Sequence, residues 1–168
     1  MNLKNKTMSN EKQLAVKMAI DLWNSRLKAT DELINSLTDE QLQKEVSQGR
    51  NRGIYLLGHL TAVHDAMLPL LGFEKPLYPE LAETFLTKPD KTVAELPSAK
   101  DLRAYWKNVN SKLAEHYSKL KPEEWFEKHT AVSAEDFAKE PHRNRLNVVM
   151  GRTVHLSSHL GQLVFLKN

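Results

Sequence analysis

A chain of 168 residues, 27% charged and 40% hydrophobic, has the composition of one globular domain large enough to bury a single core. A formal charge of +3 is only mildly basic and no Lys/Arg run stands out, which argues against a nucleic-acid partner. With no cysteine, the chain can hold neither a disulfide nor a thiolate-bound metal, and no stretch approaches the roughly 20 apolar residues that span a bilayer. Any metal site must therefore use His, Asp or Glu. The polar start MNLKNKTMSNEKQ has no apolar core of a secretory signal, so a cytoplasmic location without membrane association is the expectation.

Residues 1–9 read as a polar, flexible tail. Leu14, Met18, Leu22, Ala29 and Leu33 then recur at helical spacing, with Trp23 and Leu27 widening the stripe, and predict a first helix over residues 10–36. Thr38 and Gln41 make a capping pattern for a short turn, TDEQLQ, that leads into the polar loop SQGRNRG. A second helix over residues 51–71 carries Ile54, Leu56, Leu57, Leu60, Val63, Met67, Leu68, Leu70 and Leu71. These cover most of its circumference, so it is deeply buried. Pro69 should bend its last turn and Gly72 should end it.

Residues 73–98 hold four prolines and read as a long crossover with one helical turn at LAETFL. Ser98 and Asp101 cap a third helix that runs through Leu102, Tyr105, Trp106, Val109, Leu113 and Tyr117 to about Leu120. Residues 121–143 are irregular, with a turn at AEDF. A fourth helix starts near Asn144 and continues through Leu146, Val149, Val154, Leu156, Leu160, Leu163 and Val164. Four long helices without strand signals predict an all-α fold, a four-helix bundle with a long crossover between helices two and three, as one domain over residues 1–168.

The stretch HLSSHLGQ near the C-terminus poses the functional question. Residues four apart on a helix stand about 40° apart, so His155 and His159 can aim at one point. The pair alone is compatible with ordinary polar residues on a bundle helix. His59 adds to it, because it lies in the most apolar helix, where an unsatisfied imidazole costs free energy. His64 follows five residues later, about 140° round the helix, so one site would not use both. Periodicity leaves the choice between them open.

The segments GHLTAVHDAMLPLL and NVVMGRTVHLSSHLGQL, with PSAKDLRAYWKNVNSKL between them, resemble the DinB-like (damage-inducible) superfamily of four-helix bundles over nearly the whole chain. That group includes bacillithiol S-transferases and mycothiol-dependent maleylpyruvate isomerases. The resemblance implies His59, His155 and His159 as ligands of one divalent ion. It leaves His64 as a neighbour of the site or a packing residue. It implies close helix approach at Gly161, and a role for Gln162 in orienting a ligand or substrate. Leu156, Ser158 and Leu160 stand where many members carry Glu, His and Arg, so substrate chemistry does not carry over.

Three imidazoles without a thiolate suit Zn²⁺ or Ni²⁺, and three protein ligands leave a coordination position open, as catalytic metals require. The expectation is thus a metal-dependent enzyme, a thiol (S-)transferase or a small-molecule hydrolase. A low-molecular-weight thiol would be the co-substrate in the first case. The alternatives are a non-catalytic metal-binding stress or accessory protein, or a dimeric interaction module whose histidines merely pack. His64, Gln162, Arg52 and Arg145 are candidate substrate contacts, the arginines with Arg50 and Arg143 near the starts of helices two and four. His116, His129 and His142 read as surface residues, and Trp23, Trp106 and Trp125 as core or interface. The excess apolar surface of helix two suggests cover from the crossover or from a second subunit, and with the resemblance it points to a homodimer.

Overall fold

The computed structural model describes residues 3–167, with side chains for residues 10–167. Among them are seven α-helices: α1 (Leu3–Ser36), α2 (Asp39–Gln43), α3 (Gly53–Asp65), α4 (Met67–Leu70), α5 (Ala99–Lys119), α6 (Ala134–Lys139) and α7 (Arg145–Leu163). Two isolated β-bridges, Glu45 with Arg52 and Lys128 with Asn144, do not grow into strands. The predicted all-α bundle is therefore observed, with α1, α3–α4, α5 and α7 as its long members.

Local chemistry sets the boundaries. Thr38 caps α2 by accepting from the Gln41 amide, while the Gln41 side chain accepts from the Thr38 amide. Ser98 and Asn144 cap α5 and α7 through the amides of Asp101 and Asn147. The predicted second helix divides at Ala66 into α3 and α4. Pro69 has no N–H for the Asp65 carbonyl and its ring crowds that carbonyl, so the regular ladder stops there. Gly72, at φ 78°, then ends the segment. At the other end α1 begins at Leu3, well before its apolar periodicity; Met1 and Asn2 of the expected tail lie outside the described residues.

The long crossover follows from helix direction. Arg103 of α5 holds the Leu37 carbonyl at the end of α1, whereas His116 pairs with Glu74 beyond α4. Hence α5 runs in the same direction as α3. Leu166, just past α7, meets Gly53 at the start of α3, and Arg145 donates to the Leu71 carbonyl at its far end. Hence α7 runs against α3. Two parallel neighbours need a connection that returns the full length of the bundle, and residues 73–98 supply it. The Leu77 and Tyr78 amides donate to Asp65, the Tyr55 hydroxyl donates to the Lys88 carbonyl, and Arg52 grips Asp90. The turn expected at LAETFL is a π-helical turn, Glu83–Thr87.

This strap covers α3, whose residues are buried all round except at His59. The apolar excess predicted for helix two is thus absorbed within the chain. Helix α1 departs from expectation. Trp23, Leu33 and Ile34 are buried, but Leu14, Met18 and Leu22 are 59%, 65% and 54% exposed. The stripe that packs is the neighbouring one, Val16, Ala19, Ile20, Trp23 and Leu27. Trp106 and Trp125 are core residues, as expected.

Candidate metal centre

The site begins with a glycine. A Cβ on Gly58 would lie 2.2 Å from the Phe85 ring, so only glycine lets the strap seat Phe85 on α3. Phe85 is fully buried, which is worth about 1.5–3 kcal/mol. Its carbonyl then accepts the Nδ1–H of His59 at 2.8 Å. That bond fixes the tautomer of His59 and leaves Nε2 as a bare acceptor aimed at α7.

Helix α7 brings the other two rings. His159 donates its Nδ1–H to the Gln162 side-chain oxygen at 2.9 Å, so its Nε2 is also an acceptor. The Nε2 of His155 lies 3.2 Å from that of His59 and 3.1 Å from that of His159. The three rings splay around one point, with ligand atoms all within 4.8 Å of one another. Three acceptors converging without a cation repel, unless a proton or an ion sits among them. A tetrahedral ion at about 2.0–2.1 Å from each nitrogen would space them about 3.3 Å apart, and the two spacings made by His155 already stand close to that.

Electrostatics favour the same state. Burial, with the positive charges of His159, His59 and Arg152 added, pulls His155 down to about 4. Burial also lowers His159, only partly offset by its bond to Gln162. Both rings are neutral at physiological pH and offer lone pairs. A cleft of about 570 Å³ opens beside Gln162, with Val46, Ser47, Arg50 and Phe165 on its walls.

The structure thus brings together His59, His155, His159 and Gln162. His64 is elsewhere, fully buried between the rings of Trp23 and Trp106. Arg52 is spent on Asp90, and Arg145 on Glu127 and on the Leu71 and Glu124 carbonyls, so both clamp the fold rather than face the cleft. Gly161 faces open space, so the expected close helix approach does not occur there. His116 stacks on Phe73 and pairs with Glu74, His129 is half-buried and His142 exposed, and none of the three belongs to the cluster. Sequence reasoning missed Gly58 and the Phe85 carbonyl. The one available signal was a glycine beside a histidine in the most apolar helix of the chain.

A family model described as the DinB superfamily matches residues 23–163. No significant match is found among curated proteins.

Proposed function

The chain belongs to the DinB superfamily, and from that premise we propose that it is a divalent-metal-dependent enzyme acting on a small molecule. The observation that carries the reading is the convergence of three imidazoles, two with their outer nitrogens already donating to Phe85 and Gln162. A divalent ion held there supplies a Lewis acid at neutral pH. His59, His155 and His159 would hold it, with Zn²⁺ or Ni²⁺ suited to the donor set. We place the substrate in the cleft lined by Gln162, the side chain that holds His159, with Arg50 exposed on its wall.

With no cysteine in the chain, any sulfur nucleophile comes from a low-molecular-weight thiol, and water is the nucleophile of the hydrolytic alternative. The family's thiol-dependent members favour S-transfer, and hydrolysis is the other route. One observation supports a reading without turnover. Leu156 is buried and the Ser158 hydroxyl donates to the Val154 carbonyl, so neither offers an acid or base to the site.

Protein purified without added metal or chelator should carry up to one divalent ion per chain by elemental analysis. His155→Ala and His159→Ala should each abolish tight binding, and full occupancy in the double variant would refute the site. Metal-loaded protein assayed with a thiol and an electrophile, and separately with hydrolysable substrates, distinguishes transferase, hydrolase and non-catalytic binder.

A further inference from the structure

Two imidazole nitrogens in the bundle are buried and have no hydrogen-bonding partner among the described residues: Nε2 of His64 and Nδ1 of His155. The hydrogen bonds around each fix what it can offer. Asn110 donates its amide to the Trp106 carbonyl, so its side-chain oxygen faces His64 and accepts the Nδ1–H at 2.8 Å. Burial pushes His64 down to about 3, so the ring stays neutral and its Nε2 is a bare acceptor. The two tryptophan rings, with centroids 4.8 and 4.7 Å away, prevent it from turning.

His155 is complementary. When its Nε2 serves as a ligand, a neutral ring must carry its proton on Nδ1, which is then a buried donor lacking an acceptor. His64 stands about a turn and a half along α3 from His59, whose ring lies 5.2 Å from that of His155, and the charge of His155 reaches it. Arg152 and His59 are the other side chains whose charges reach both rings; Arg152 brings donors only, and His59 has its Nδ1–H on the Phe85 carbonyl and its Nε2 in the cluster. A donor without an acceptor and an acceptor without a donor therefore share one interior, and an orphan of either kind costs about 1–3 kcal/mol.

We infer that His64 is a positioning residue for the metal centre: its Nε2 accepts, through one shared buried water, the Nδ1–H that His155 carries when ligating. A single water satisfies both nitrogens in either state. Without an ion, His155 keeps its proton on Nε2, shared with His59 and His159, and the water donates to both orphaned nitrogens. With an ion, the proton resides on Nδ1 and the water turns to accept it while still donating to His64. Ligating histidines need such an outer partner to fix their ring, and His59 and His159 already have theirs in Phe85 and Gln162.

The inference rests on the proposed metal site, and Zn²⁺ titration against a chromophoric chelator tests the two separately. His64→Phe keeps a ring between the tryptophans but removes the acceptor, and should weaken Zn²⁺ binding about 10- to 100-fold. His64→Gln, which restores an acceptor, should recover most of the loss. Unchanged affinity in His64→Phe, with binding abolished in His155→Ala, would overturn the role of His64 and leave the metal site standing. No binding by the wild type would remove both. Should His64→Phe fail to fold, ¹⁵N histidine spectra of the wild type decide. Zn²⁺ should move the His155 proton from Nε2 to Nδ1 while His64 remains a hydrogen-bonded Nε2 acceptor. A proton on His64 Nε2, or a free Nε2, would overturn the inference.

Discussion

At the scale of single residues, His64 links the packing of the bundle to pH. It titrates near 3 in the folded chain, against an ordinary value of 6.5 that applies once the chain unfolds. Between these values the unfolded chain holds the extra proton, so stability falls as pH drops, by about 1.4 kcal/mol per unit. Above 6.5 neither state takes the proton and the contribution is complete. His155, lowered to about 4 but partly exposed, adds a smaller loss of the same sign in metal-free protein. Urea unfolding of the metal-free chain between pH 6.5 and 4 should therefore show a steep decline in midpoint, and His64→Phe should flatten it. Equal slopes in the two proteins would mean that His64 is already protonated in the fold or solvated enough to titrate normally.

Among the elements, the contact between the strap and α3 carries both stability and site geometry. Gly58→Ala adds a Cβ that meets three Phe85 ring atoms at 2.2–2.7 Å. Alanine gains up to about 1 kcal/mol of helix propensity over glycine, but overpacking a fully buried ring costs about 1–3 kcal/mol, so the clash wins. The variant should melt lower and also bind Zn²⁺ more weakly, because a displaced Phe85 carbonyl no longer orients His59. A lower melting point with unchanged affinity would assign Phe85 to packing alone. The same contact explains what was legible beforehand. His155 and His159 declare themselves through spacing on one helix, which is local. Choosing His59 over His64 needs the strap, since both lie on a buried helix and only one meets the Phe85 carbonyl. Helix α1 was legible as a helix but not in its facing. Leu14, Met18 and Leu22 share the period of Val16, Ile20, Trp23 and Leu27, and period alone does not say which stripe meets the core.

On the scale of the whole molecule, the unused stripe bears on assembly. Leu14, Met18 and Leu22 of α1 are joined by Met150 and Val154 of α7, 51% and 68% exposed. The two helices pack side by side and run the same way, since both oppose α3. Lys12 lies over Phe126, while Arg145 is held by the neighbouring Glu124 and Glu127, so both stripes begin at one end of the bundle. Gly151, between the two α7 residues, has open space above it and would admit a close neighbour. We propose that a second copy of the chain covers this face. Five such side chains expose on the order of 500 Å² of apolar surface, most of the core of a standard interface burying about 800 Å² per partner. A two-fold axis would present the same patch from both sides, the commonest closed arrangement. Light scattering at micromolar concentration should give about twice 19.2 kDa, and Met18→Lys combined with Val154→Lys should return a folded monomer that still binds metal. A wild-type monomer across the accessible range would reject the dimer. It would leave the three-histidine cluster intact, because His59, His155 and His159 all come from one chain.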